Sequence, residues 1–125
     1  MILAGDVGGT NARLAMFEVA TGRLEARATE IFPSRQYKTL EEIVAKFAAA
    51  HSARVEHACF GIAGPVRNGR CETPNLAWLI DSIPLAQAAG VATARIINDL
   101  EANAYGIGAL GADDFAILNE GAHDP

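Results

Sequence analysis

The sequence predicts one α/β domain on a mixed sheet, with three antiparallel strands first, crossover-linked parallel strands after them, and helices on its faces. Three observations carry this. Apolar runs at residues 1–4 and 12–17 flank a Gly8-Gly9 turn, and a third strand candidate follows the Thr21-Gly22 turn. One well-marked amphipathic helix opens at Thr39. Beyond it, continuous apolar runs at residues 58–63 and 94–98 alternate with short helical segments, as strands buried on both faces do.

Taken in order, residues 12–19 leave the first turn as a strand. Thr21-Gly22 turns the chain into residues 25–32, where Ala26, Ala28 and Glu30 alternate to one side. Short turns between three strands make an antiparallel meander. Residues 33–38 connect to the helix, whose start carries a capping box of Thr39 and Glu42. Leu40, Ile43, Val44, Phe47 and Ala48 share one face that covers the sheet, and His51 at the end suits the helix dipole. Gly64-Pro65 closes the 58–63 strand, and the connection before it is long enough for a parallel crossover. Asn68-Gly69 reads as a two-residue hairpin turn between Val66 and Cys71. A polar and aromatic loop, residues 73–78, precedes a short helix over residues 82–89. Asp81 or Ser82 caps it, Pro84 sits in its first turn, and Gly90 stops it. After the 94–98 strand, Asp99 opens a helix with Leu100, Ala104 and Ile107 on one side, ended by Gly108 and Gly111. Residues 115–118 suit one more strand, and residues 119–125 a loose polar tail.

With 125 residues, 50% of them hydrophobic and 20% charged, the chain is one domain with a folded core. A net charge of −5 without basic clusters argues against nucleic acid as a partner. Cys59 and Cys71 lack metal-site spacing and are expected as free, buried thiols in a reducing compartment. No basic segment leads into a long apolar run, so neither a signal peptide nor a membrane partner is expected, and the location expected is the cytoplasm.

The densest chemistry lies in Leu3-Ala4-Gly5-Asp6-Val7-Gly8-Gly9-Thr10-Asn11-Ala12-Arg13. Paired glycines permit positive φ and a close backbone approach, and their N–H groups can form an anion nest. Thr10 and Asn11 add side-chain donors and Arg13 a nearby cation. Asp6 is badly placed to hold phosphate directly but suits Mg²⁺ or its water shell. The plainer reading is a Gly-Gly hairpin with a surface aspartate.

The string Gly5-Asp6-Val7-Gly8-Gly9-Thr10-Asn11 resembles the first phosphate loop of sugar kinases in the hexokinase and actin superfamily. The ending Thr10-Asn11-Ala12-Arg13-Leu14 is most similar to bacterial glucokinases; a related repressor and kinase group usually has lysine after the threonine. The resemblance implies a ribonuclease-H-like fold, in agreement with the element order. It also implies that Gly5, Asp6, Val7, Gly8, Gly9, Thr10 and Asn11 bind ATP, with Asp6 holding Mg²⁺ through water.

A second constellation is Asn98-Asp99, at the end of a buried strand and the start of a helix, where ligands of open α/β sheets bind. Asp99 as a helix cap is the plainer reading. The resemblance implies that the pair binds the sugar, with Asp99 as the base that takes the proton of the 6-hydroxyl. A hydroxyl is a poor nucleophile until a positioned carboxylate accepts its proton. An Asn-x-x-Trp segment of the family resembles Asn75 to Trp78, which assigns Asn75 to the sugar and leaves Trp78 between sugar wall and core anchor. Gly106-Ile107-Gly108-Ala109-Leu110-Gly111 matches a dinucleotide fingerprint but closes a helix instead of opening one.

The resemblance runs from Ile2 to about Gly111. It implies that residues 1–125 are the N-terminal domain of a two-domain kinase. The second domain, with its second phosphate loop, adenosine pocket and Glu-x-x-His segment, is absent from this sequence. The expected partner is glucose or a similar hexose, and a homodimer is an open expectation. Alternatives are a kinase for another hexose and a non-catalytic sugar-sensing module of the same fold. Such sensors normally carry a helix-turn-helix before the first strand, and a first strand that starts almost at Met1 makes the repressor reading the less expected one.

Overall fold

The computed structural model describes residues 1–51, 54–73, 76 and 78–107. Three strands, β1 (Ile2–Val7), β2 (Asn11–Ala20) and β3 (Arg23–Pro33), lead through a short 3-10 turn (Ser34–Gln36) to helix α1 (Leu40–His51). Strand β4 (His57–Ile62) is followed by three short strands, β5 (Val66–Arg67), β6 (Arg70–Glu72) and β7 (Leu79–Asp81). Helix α2 (Ser82–Ala89), strand β8 (Ala94–Asn98) and helix α3 (Asp99–Ile107) complete the described chain. The main sheet has the order β3-β2-β1-β4-β8, and β5-β6-β7 form a separate antiparallel sheet. β1–β2 and β2–β3 are antiparallel, whereas β1–β4 and β4–β8 are parallel. This is the mixed sheet expected, an antiparallel meander extended by crossover-linked parallel strands.

Alternation along the strands decides which face is which. Leu3, Val7, Leu14, Met16, Phe60 and Ile62 point into one core. Leu40, Ile43, Val44 and Phe47 of α1 and Leu85 and Ala89 of α2 fill it from above. Thr39 begins α1 as expected: its Oγ1 accepts from Glu42 N at 3.3 Å, and Glu42 reaches back to Lys38 N. Phe47 meets Phe32 edge-on at 6.2 Å, and truncating so large a buried ring to alanine costs about 3–5 kcal/mol. α2 starts on Asp81, whose carboxylate accepts from Ile83 N, and ends at Gly90 with φ 74°, both as the sequence predicts.

Several expectations need correction. β1 does not stop at Ala4 but carries Asp6 and Val7 within it, because β2 on one side and β4 on the other pair with it through Val7. β7 escaped the sequence; its three residues are too short for a periodicity, and only pairing with β6 makes them a strand. α3 turns Ala102 to the sheet and leaves Leu100 73% exposed and Ala104 exposed, the opposite of the apolar-face reading. Gly61 explains this, since a Cβ there would stand 2.9 Å from Ala102 Cβ; only glycine lets the helix lie so close. The predicted 115–118 strand, the 119–125 tail and the terminating Gly108 and Gly111 lie outside the described residues. Among the described residues no helix is long and apolar enough to cross a membrane.

Candidate active site

β1, β4 and β8 run parallel, so their C-terminal ends open on one edge of the sheet. Asp6 is in register with Gly61, and Gly61 with Ile97, two residues before Asp99. The two carboxylates therefore share one edge, but not adjacent strands: β4 lies between β1 and β8. Two strand spacings put roughly 10 Å between the strands that carry them. The space between is kept low by Gly61, whose missing Cβ would point at Ala102 and at Asp99 Cα, 4.0 Å away. Register partners project from the same face, so Asp6, and Arg13 opposite it on β2, stand on the face where α3 packs.

The first loop is a hairpin closed by Gly8 N donating to Asn11 O at 2.9 Å. Neither Gly8 nor Gly9 is among the residues with positive φ, so the expectation of a left-handed turn there is not met. Gly9 makes no protein hydrogen bond among the described residues, which leaves its N–H free to meet an anion. Thr10 and Asn11 are exposed, as is Asp6, whose carboxylate has no partner among the described residues. Gly5 and Val7 face the other way. A Cβ on Gly5 would stand 2.5 Å from Phe60 Cδ1, and Val7 is buried, so packing accounts for both. The polar groups of the string left open are the Asp6 carboxylate, the Gly9 N–H and the exposed side chains of Thr10 and Asn11.

At the second strand end the cap belongs to Asn98. Its Oδ1 accepts from Leu100 N at 2.9 Å, and its Nδ2 donates to Gly64 O, tying β8 to the loop after β4. Asp99 is the first residue of α3; its Oδ1 shares the same Leu100 N–H, and its second oxygen has no partner among the described residues.

The third piece divides. Asn75 lies outside the described residues. Trp78 is buried, and its indole N–H donates to Tyr37 O at 3.2 Å, which fits the core-anchor reading. Thr73 closes the loop by donating its hydroxyl to Leu76 O. Arg95 is exposed on β8 in register with Cys59, and burial pushes the Cys59 thiol up, which keeps it protonated and unreactive at neutral pH. No group of three or more metal-ligating side chains occurs among the described residues. A lone exposed carboxylate such as that of Asp6 is of the kind Mg²⁺ can use, since that ion keeps several waters and takes one or two carboxylates. Sequence reasoning missed Gly61 and Ser34 at this edge, because neither a glycine inside an apolar run nor a serine in a polar connection carries a signal of what approaches it.

A family model described as glucokinase matches residues 3–125. The chain belongs to the glucokinase family. It is 35% identical to the glucokinase of Nostoc sp. over its whole length, and 37% identical to that of Psychromonas ingrahamii over 95% of its length. It spans only 37% and 36% of those two proteins. Among solved structures, a glucokinase from an Antarctic psychrotroph superposes with a TM-score of 0.81 at 28% identity, over 98% of this chain and 39% of that one. A glucokinase of the ROK family from Streptomyces griseus, in complex with glucose and AMPPNP, superposes with a TM-score of 0.62 at 25% identity over 90% of this chain and 37% of that one. The mixed sheet expected from the element order is thus shared with solved glucokinases.

Proposed function

We propose that this chain is the N-terminal part of an ATP-dependent kinase that phosphorylates glucose at the 6-hydroxyl. The observation that carries the proposal is the convergence of two carboxylates, Asp6 and Asp99, on one sheet edge across a glycine-lined gap. Asp99 takes the proton of the sugar hydroxyl as its oxygen bonds to the terminal phosphorus and the bond to the leaving diphosphate breaks. Asn98 uses one N–H and one lone pair on its neighbours, so a second N–H and a second lone pair stay available to sugar hydroxyls. Gly9 N–H, the Thr10 hydroxyl and the Asn11 amide face the phosphates. Asp6 would hold Mg²⁺ through water, and the ion supplies charge neutralisation on the phosphate oxygens. The glucose and ATP-analogue complex of the Streptomyces griseus relative supports both ligands.

Shared between two domains, such a site cannot exclude water from one side alone. Residues 1–125 by themselves are therefore expected to give no measurable hexose phosphorylation in a coupled assay. A longer protein carrying them should turn over glucose with ATP. Ordinary turnover from the 125 residues alone would show that this edge needs no second domain. A longer protein active on another hexose and not on glucose would move the substrate assignment, and one that binds sugar without turnover would make the site a sensor.

A further inference from the structure

We propose that Ser34 is a positioning residue for the phosphate loop, holding the Gly8-Gly9 peptide so that Gly9 N–H is presented to a phosphate oxygen. The inference rests on the reading of residues 8–11 as a phosphate loop. Ser34 is the one buried polar residue among those described, with 0% exposure, at the point where β3 ends and the 3-10 turn begins. Its hydroxyl donates to Gly8 O at 2.9 Å, and its backbone N–H donates to Thr10 O at 3.0 Å. One residue from the β3–α1 connection thus grips the hairpin loop on both sides of Gly9.

The geometry of the peptide group turns this grip into an orientation. In a trans peptide the C=O and the following N–H point in opposite directions, and the described chain has no cis peptide. With Gly8 C=O drawn inward to the Ser34 hydroxyl, Gly9 N–H must point outward. It has no protein acceptor there among the described residues. Glycines on both sides of this peptide make it easy to rotate, so something outside the loop has to hold it. A hydroxyl buried to this degree holds it well, because releasing Gly8 O would leave the buried Ser34 hydroxyl without its acceptor. The same turn is anchored at its far end, where Tyr37 N donates to Ser34 O and Tyr37 O accepts from the Trp78 indole.

The test uses a full-length protein carrying this chain and reads KM for MgATP, KM for glucose and the unfolding midpoint. Ser34→Ala removes the hydroxyl and should raise KM for MgATP roughly three- to tenfold, the usual worth of one such hydrogen bond, with KM for glucose unchanged. Ser34→Thr keeps the hydroxyl and should keep KM for MgATP, even where its extra methyl lowers the midpoint. Val44→Ala, in the core of α1 and away from the loop, should lower the midpoint without moving either KM. The proposal is overturned if Ser34→Ala leaves KM for MgATP unchanged or if Ser34→Thr raises it as much. Thr10→Ala separates the two layers. If it raises KM for MgATP and Ser34→Ala does not, only the positioning role falls; if neither does, the loop reading falls with it.

Discussion

Two kinds of turn occur in this chain, and glycine serves a different purpose in each. At Thr21-Gly22 and Asn68-Gly69 both residues have positive φ, 50° and 76° in the first and 54° and 72° in the second. That is the geometry that matches the twist of a hairpin, and a glycine there is required by the backbone. At Gly8-Gly9 φ is not positive, and a Cβ on Gly8 would lie 3.4 Å from Asn11 O, a contact that a small shift relieves. The backbone tolerates a side chain at Gly8, so the turn itself does not require a glycine there. The same division separates Asn98 from Asp99. Asn98 is accounted for by its two backbone partners, whereas one oxygen of Asp99 is called for by nothing in the described fold. Polar groups that folding does not explain, those of Asp6 and Asp99, lie along one edge of the sheet, and that is what marks the edge as a candidate site.

The comparison breaks most visibly at Asp99. In a full-length protein carrying this chain, Asp99→Asn should lower the rate constant for chemistry by roughly 10²–10⁴ while sugar affinity and the unfolding midpoint barely move. Because Asn98 holds the cap, even Asp99→Ala should cost only the interaction of a carboxylate with the helix dipole, about 0.3–1 kcal/mol. Full turnover in Asp99→Asn would return Asp99 to the structural residues. At Gly8 the expected effect is smaller and of opposite sign for folding and binding. Gly8→Ala should raise KM for MgATP about tenfold by intruding on the phosphate side, while stability holds or gains up to about 1 kcal/mol. A loss of stability with normal nucleotide affinity would put this turn in the same class as the others. The smallest effect belongs to Gly69. Gly69→Ala places a Cβ at φ 72° and 2.9 Å from Ser82 Oγ, for a loss of about 1–2 kcal/mol in chemical denaturation and no change in either KM.

Much of this was legible in the residues because local rules and tertiary structure agree. The α1 face, the cap at Asp81, the left-handed Gly90 and the Asn68-Gly69 hairpin each follow from a short pattern with its own mechanism. The strings around Asp6 and Asp99 stood out as candidates because polar residues interrupt one otherwise apolar strand and directly follow another. What was not legible depends on neighbours distant in sequence. β4 between the two carboxylate strands, the inward Ala102 opposite Gly61, and Ser34 beneath the loop are set by which strands lie side by side. The exposed Leu100 misled the reading of α3 because an apolar-in rule has no term for a helix that must begin at a strand end.

The strand order also sets a sequence of assembly. β1 meets β2 across a tight hairpin, so the loop at residues 8–11 is made of local contacts, the kind that form early. β8 reaches the sheet only through β4, and β4 reaches β1 only after α1 has been spanned. Each of those parallel pairings carries the loop-closure entropy of a long excursion. On a growing chain the Gly8-Gly9 hairpin is therefore in place before the strand that leads to Asp99. Among the described strands of the main sheet β8 joins last, so a partly folded chain holds one polar end of that edge without the other.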